Sequence, residues 1–255
     1  MDLFIMFWLF IFGAIFGSFL GCMGYRIPNK IKTTYPSSFC SSCKKPLKWY
    51  MNIPIVSYIL QGGKCAYCHK KIGFIYFLCE ILCACLFALS YYLFKFDMFF
   101  FLSIILTCAL IVTIVSDFKY YYISDRVLII SEILIIITLF VFKEPYDALM
   151  NIVSGVIVFL VMIGLKILGN GMFGRESLGD GDIKLMGVIG TALGLIYSFV
   201  TLFFASVIAL IFSLISLKRH PDGVIPYGPF LLMGALIVIY FSSILMPYLE
   251  KLLSL

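Results

Sequence analysis

The heptapeptide Leu178-Gly179-Asp180-Gly181-Asp182-Ile183-Lys184 marks the point where a polar, glycine-rich stretch gives way to an apolar segment. An ionisable side chain beside the hydrocarbon region of a bilayer is costly, and such residues are by default functional. A second acid, Asp117, follows the apolar run from Phe99 to Val115. We therefore expect Asp117 and Asp182 to meet at one membrane face and to form an aspartyl catalytic pair.

The composition indicates a membrane protein. Of 255 residues, 63% are hydrophobic and only 13% are charged, whereas a soluble domain has about 25% charged residues. A membrane-spanning helix needs about 20 mainly apolar residues. The pattern predicts an all-α polytopic membrane protein with about eight transmembrane helices. The predicted spans are 3–25, 76–95, 98–116, 127–142, 147–168, 183–197, 199–217 and 228–249. We expect the first to be a retained helix, because no basic residue precedes it as in a signal peptide.

The basic residues predict the orientation of these spans, because Lys and Arg are enriched in cytoplasmic loops. Sixteen of the nineteen basic residues fall in odd-numbered loops, namely Arg26, Lys30, Lys32, Lys44, Lys45, Lys48, Lys64, Lys70, Lys71, Lys119, Arg126, Lys166, Arg175, Lys184, Lys218 and Arg219. Lys95, Lys143 and Lys251 are assigned to the other side. The odd loops, with Asp117 and Asp182, are therefore predicted to be cytoplasmic. Topology accounts for the net charge of +6, and no nucleic-acid partner is predicted.

The block of residues 26–75 contains two Cys-x-x-Cys pairs, Cys40-Ser41-Ser42-Cys43 and Cys65-Ala66-Tyr67-Cys68, separated by 21 residues. Four thiolates at this spacing suit a tetrahedral structural zinc site. A block of about 50 residues can bury only a small apolar core, so a bound metal would help to stabilise its fold. A reducing cytoplasmic loop also disfavours disulfides. Free thiols and a redox pair are the alternatives, and His69 is a possible but less favoured substitute ligand.

Two carboxylates that share one proton can catalyse peptide hydrolysis, one as the base for water and the other as the acid for the departing amine. Asp182 is expected to begin a helix, where the macrodipole favours its anion, and Asp117 to end one, where it favours the neutral acid. Asp125 has an ordinary structural explanation as the N-cap or a first-turn acid of the following helix. Glu80 is expected to pair with a basic residue or to reach the membrane surface, with a catalytic role as the less favoured alternative. The glycine-rich stretch 169–182 is predicted to be a loop.

Five motifs in order resemble the type IV prepilin peptidase family. They are Gly17-Ser18-Phe19-Leu20 with Tyr25-Arg26-Ile27-Pro28, the four cysteines with Asn52-Ile53-Pro54, Asp117 with Ser124-Asp125, Gly179-Asp180-Gly181-Asp182, and Ile225-Pro226-Tyr227-Gly228-Pro229-Phe230. The resemblance implies that the catalytic acids are Asp117 and Asp182, and that Cys40, Cys43, Cys65 and Cys68 bind zinc.

The resemblance also implies a function. The expected reaction is cleavage of a short basic leader from prepilins or pseudopilins at the cytoplasmic face of a bacterial inner membrane. Members with the four-cysteine block usually methylate the new N-terminus with S-adenosylmethionine, so both activities are expected, although no donor-binding residue can be named. The expected domains are a first helix (1–25), a cytoplasmic zinc domain (26–75) and a membrane peptidase domain (76–255).

Three other functions remain open at the level of sequence. A presenilin-like or signal-peptide-peptidase-like protease also uses Gly-x-Gly-Asp, but it resembles this chain less because such enzymes lack a four-cysteine loop. A transporter could use the two acids as a proton or cation relay. A membrane scaffold could bind zinc without catalysis. The oligomeric state cannot be predicted.

Overall fold

The computed structural model describes residues 1–33, 37–174, 178–216, 225–242 and 244. Within them the chain forms nine α-helices, one four-residue 3-10 helix (Trp49–Asn52) and two isolated β-bridges, but no strand. The α-helices are α1 (Asp2–Arg26), α2 (Val56–Leu60), α3 (Phe74–Phe94), α4 (Met98–Tyr120), α5 (Asp125–Phe142), α6 (Pro145–Phe173), α7 (Asp180–Leu193), α8 (Leu195–Ser216) and α9 (Gly228–Tyr240). The prediction of an all-α protein is therefore confirmed.

Each of the eight predicted spans coincides with one helix, but not every helix meets the requirements for crossing a bilayer. Five are long and apolar enough, namely α1, α3, α4, α6 and α8. Helix α7 has only 14 residues, or about 21 Å at 1.5 Å per residue, and α9 has 13. Helix α5 has 18 residues, among them Asp125, Arg126 and Glu132. The chain is a multi-pass membrane protein, and eight crossings remain a prediction.

Some sequence predictions fall on residues outside the described ranges. These are the basic residues Arg175, Lys218, Arg219 and Lys251 of the orientation count, and the end of the predicted span 228–249. The division into domains 1–25, 26–75 and 76–255 also stays a prediction.

The chain divides into two compact parts. The first consists of Met1–Lys95 and Ile111–Tyr122, and its main contact is between α1 and α3. Small residues make this contact close: a Cβ added at Gly13 would lie 2.7 Å from Ala84 Cα, and one at Gly17 would lie 2.9 Å from the carbonyl oxygen of Cys79. The glycines of the first helix therefore allow the backbones to approach, as small residues do in membrane helices.

The second part consists of Phe96–Leu110 and Ile123–Leu255. Within it, the short helix α7 contacts α5, α6, α8 and α9, and most of its side chains are buried. The contact with α6 is the tightest, because a Cβ at Gly190 would lie 2.8 Å from Gly155 Cα. Four helices therefore hold the helix that begins at Asp180.

The close contact between α6 and α7 predicts that Gly155→Ala destabilises the protein. The added Cβ would lie 2.9 Å from both the Gly187 carbonyl oxygen and the Thr191 backbone nitrogen, so the helices must separate, at a cost of about 1–3 kcal/mol. Gly164→Ala is the matched control on the same helix, since no atom lies within 4 Å of its added Cβ. Thermal unfolding in detergent should show a lower midpoint for Gly155→Ala alone. Equal midpoints for the two variants would contradict this close contact.

Candidate functional site

Asp117 lies in the last turn of α4, which ends at Tyr120, and only 5% of its surface is exposed. Its carbonyl oxygen accepts a hydrogen bond from the Tyr121 N–H at 2.9 Å. The helix continues four residues beyond the predicted end of the span at residue 116. Asp117 is therefore buried in the last turn of α4, at the negative end of the helix dipole. This end of a helix favours the neutral form of an acid.

Asp182 lies in the first turn of α7, as predicted, with Gly179 at the N-cap position. Its Oδ1 atom is shielded from solvent, and its Oδ2 atom lies 3.0 Å from where a Cβ at Gly179 would stand. A Cβ at Gly181 would lie 2.8 Å from Ile123 Cβ. The two glycines of the motif therefore make room for the catalytic candidate and for a close contact with Ile123, two residues before α5.

The other acid of each motif, Asp125 after Asp117 and Asp180 before Asp182, forms an ion pair. Lys184 Nζ lies 2.7 Å from Asp125 Oδ1, and Lys166 Nζ lies 2.6 Å from Asp180 Oδ1. Asp125 is the first residue of α5, which confirms its interpretation as a first-turn acid. Exposed pairs of this kind are worth about 0–1 kcal/mol, so we assign Asp125 and Asp180 structural roles.

The two candidate catalytic acids belong to different compact parts of the chain. Asp117 lies in the first part and Asp182 in the second. Each stands at a helix end as the sequence predicts. That they meet as a pair remains a prediction.

Tyr227 precedes α9 and is a residue to which the sequence assigned no role. Its hydroxyl shares a hydrogen bond of 2.8 Å with Ser206 Oγ on α8. Burial raises the pKa of Tyr227; the bond to Ser206 opposes this, and the negative charge of Asp182 adds to it. Tyr227 therefore links the start of α9 to α8, and its ionisation is opposed by the charge of Asp182. Its place in the Pro226-Tyr227-Gly228 motif was the only signal in the sequence.

Near the C-terminal end of α7, Thr191 forms hydrogen bonds with α5 and α6 that the sequence did not predict. Thr191 Oγ1 donates to Glu132 Oε1 of α5 at 2.8 Å, and Asn151 Nδ2 of α6 donates to the Thr191 carbonyl oxygen at 3.0 Å. The sequence shows Glu132 only as an acid inside a long apolar segment. It does not indicate Thr191 as the partner, because the two residues are 59 positions apart. These hydrogen bonds fix the C-terminal end of α7 between two neighbouring helices.

The four predicted metal ligands come together in the first part. The Sγ atoms of Cys40, Cys43, Cys65 and Cys68 all lie within 4.8 Å of one another. The Sγ atoms of Cys40 and Cys68 are 3.9 Å apart, which rules out a disulfide between them. A tetrahedral Zn²⁺ with Zn–S bonds of about 2.3 Å separates its sulfurs by about 3.8 Å. The donor set and its spacing therefore fit zinc.

The two cysteine pairs fold in the same way. The N–H of Cys40 donates to the Lys45 carbonyl oxygen, and the N–H of Cys65 donates to that of Lys70. Lys44 and His69 occupy equivalent positions with positive φ angles of 59° and 54°. The flanking bridges are also equivalent, Phe39–Pro46 and Lys64–Lys71. His69 is thus explained by its turn, and the cluster among the described residues contains four cysteines without it.

The thiols influence one another's ionisation. Burial opposes ionisation of Cys40, but hydrogen bonds from the backbone N–H groups of Cys43 and Ser42 lower its pKa to about 6. The Lys70 N–H favours the Cys68 thiolate, but burial and hydrogen bonds with the other three thiols outweigh it and raise the pKa of Cys68 to about 11. A divalent metal removes this conflict, because it replaces the protons of all four ligands.

Two family profiles match the chain. The bacterial peptidase A24 N-terminal domain matches residues 11–94, and the type IV leader peptidase family matches residues 104–214. No solved structure matches the chain.

Three similar proteins all carry the name prepilin leader peptidase/N-methyltransferase. The protein of Bacillus subtilis is 30% identical, over 95% of this chain and 97% of its own length. That of Vibrio cholerae is 28% identical, over 92% and 96%, and that of Neisseria gonorrhoeae is 27% identical, over 89% and 87%.

Proposed function

The chain belongs to the type IV leader peptidase family, and from that premise we propose that it cleaves the leader peptide of prepilins or pseudopilins with Asp117 and Asp182. The observation that carries this proposal is the position of Asp182 in the first turn of α7, between glycines that leave room for it. Asp125 and Asp180, the neighbouring acids, form exposed ion pairs with lysines.

In the proposed mechanism one aspartate is ionised and the other is protonated, since two carboxylates at close range cannot both ionise easily. The positive end of the α7 dipole favours the anion of Asp182, and the negative end of α4 favours the neutral acid of Asp117. Asp182 then takes a proton from the attacking water. Asp117 protonates the departing amine of the scissile peptide bond. The pKa values belong to the pair as a whole.

We further propose that the enzyme methylates the new N-terminal amine, as the names of its relatives state for those proteins. S-adenosylmethionine supplies an electrophilic methyl group on a positively charged sulfur when it is bound. The chain's own contribution is to hold the donor and the amine in line and to exclude water. The proposed zinc ion has a structural role, because four cysteine ligands leave no open coordination position.

The proposed location is the bacterial inner membrane, with the aspartates at the cytoplasmic face. This orientation rests on the distribution of Lys and Arg. The nine basic residues of the block 26–75 are the largest contribution to it. The presenilin-like and transporter alternatives gain no support from relatives that are all named as prepilin-processing enzymes.

The test of the proposed function is co-expression with a candidate prepilin, followed by mass spectrometry of the pilin N-terminus. We expect the leader to be lost and the mass of one methyl group to be gained. A prepilin that a related enzyme processes under the same conditions, but this protein leaves at full length, would overturn the peptidase proposal. A cleaved but unmethylated product would overturn only the second activity.

A further inference from the structure

The first compact part contains a cavity of about 970 Å³, formed by α1, the start of α3 and the block with the four cysteines. All of its lining residues belong to the first part. Sites for small molecules and cofactors are mostly apolar cavities of about 300–1,000 Å³ with a few polar groups. This cavity therefore has the size and lining of a cofactor site, and neither aspartate of the proposed peptidase pair lines it.

Glu80 is the acid in this cavity. The sequence has no other acidic residue between Asp2 and Asp97, although the same stretch contains all nine basic residues of the first loop. Glu80 is half-buried near the start of α3. A lone carboxylate among apolar walls and cations is complementary to a ligand that carries positive charge, and it disfavours a purely anionic ligand.

A strained turn holds Glu80 in place. Its Oε2 atom accepts a hydrogen bond of 2.7 Å from the Ile55 N–H, and Ile55 has a φ of 62°, which is unfavourable for a β-branched residue. The turn is closed by a hydrogen bond of 2.6 Å from the Val56 N–H to the Pro54 carbonyl oxygen. Among the described residues Glu80 forms no ion pair, so the structure does not support a basic partner, one of the alternatives that the sequence left open for it. Backbone strain of this kind is concentrated at ligand-binding sites.

The rest of the lining supplies aromatic surface and positive charge. Trp49 lines the cavity with 78% of its surface exposed, and Tyr76 and Phe39 line it as well. Lys70 and Lys71 are exposed and also line it. Arg26 orders one wall, because its guanidinium donates to the carbonyl oxygens of Lys32 and Thr33 at 3.1 Å. Aromatic faces, an acid and lysines thus converge on one space.

We infer that this cavity binds S-adenosylmethionine and that Glu80 meets its positive charge, an inference that rests on the methyltransferase activity proposed above. Each group of the donor has a counterpart in the lining. Glu80 is matched to the sulfonium and ammonium charges, Lys70 and Lys71 to the carboxylate, and the aromatic side chains to the adenine ring. A fatty-acyl chain would need the apolar wall of α1 but neither Glu80 nor the lysines.

The test is donor binding to the purified full-length protein in detergent, without prepilin, by calorimetric titration of S-adenosylmethionine. Glu80→Gln keeps the size of the side chain and an oxygen for the Ile55 N–H but removes the charge. We expect its Kd to rise about tenfold or more, which corresponds to 1.4 kcal/mol. Glu132→Gln, a matched acid in the second part, should bind the donor as the wild type does.

Three results would overturn the inference. They are equal donor affinity of Glu80→Gln and wild type, no donor binding by a wild-type protein that cleaves prepilin, and a cavity occupied by lipid that excess donor does not displace. Photocrosslinking of labelled donor to the wild type gives a test that does not depend on a variant: the label should fall on peptides within residues 37–80. Label confined to α6–α8 would reject the cavity.

The same preparations separate this inference from the proposed function. Glu80→Gln should still remove the leader, because Glu80 takes no part in the proposed hydrolysis, and it should still hold its zinc. Weaker methylation at limiting donor concentration, with leader cleavage intact, is therefore the expected pattern. Wild-type protein that binds the donor but never cleaves a prepilin would reject the peptidase proposal and leave the donor site standing.

Discussion

Replacing either Asp117 or Asp182 by Asn is expected to lower the rate of leader cleavage by about 10²–10⁴-fold, the usual contribution of one general acid–base group. Asparagine has nearly the same shape but can neither accept a proton from water nor donate one to the amine. Initial rates on purified prepilin measure the effect. Both variants should keep donor binding and zinc content, which shows that the first compact part is still folded, and an unchanged thermal unfolding midpoint in detergent shows the same for the whole protein.

The matched controls for this experiment are Asp125→Asn and Asp180→Asn. Both controls change an acid in one of the same two motifs. Each of these acids already forms an ion pair, Asp125 with Lys184 and Asp180 with Lys166. Since exposed ion pairs are worth about 0–1 kcal/mol, their rates should stay within about fivefold of wild type. Asp117→Asn or Asp182→Asn at a tenth of the wild-type rate, or a thousandfold loss in a control, would reject the proposed assignment of the pair.

Hydrophobic patterning located every long helix but misplaced several ends. The span predicted to end at residue 168 continues as α6 to Phe173, so the first part of the predicted glycine-rich loop 169–182 is helical. Hydropathy reports where apolar side chains stop, whereas backbone hydrogen bonds continue into polar residues. Gly174, the residue that follows α6, terminates the helix, because it adopts the left-handed conformation with φ of 63°, as glycines after helix C-termini often do.

The site was predictable where its chemistry is local in sequence. Two short Cys-x-x-Cys turns are enough to predict a metal cluster, because each turn fixes two ligands by itself. The roles of Glu80 and Tyr227 could not be predicted, since Ile55 and Ser206, their hydrogen-bond partners, are 25 and 21 residues away. Such contacts depend on how helices pack, and a single sequence does not encode them in any short pattern.

Cys65→Ser is expected to remove the proposed metal and to unfold the block 37–73 while α1 and α3 stay intact. Cys65 is only 3% exposed, but the 3-10 helix Trp49–Asn52 and helix α2 bury no residue at all. With so little core, the block depends on the metal, whose binding contributes about 10–16 kcal/mol in small zinc domains. Metal analysis should find about one zinc per wild-type chain and almost none in the variant.

Limited proteolysis distinguishes loss of the metal from general damage to the protein. Cys65→Ser, or wild type treated with a strong chelator, should be cut within 37–73, whereas Cys85→Ser, which changes an exposed cysteine of α3, should resist as wild type does. Since Cys40 and Cys65 line the proposed donor cavity, loss of zinc should also abolish donor binding. Leader cleavage should fall much less, because both aspartates lie outside the unfolded block. Protease resistance and donor binding that survive complete metal removal would show that the four cysteines do not support this cavity.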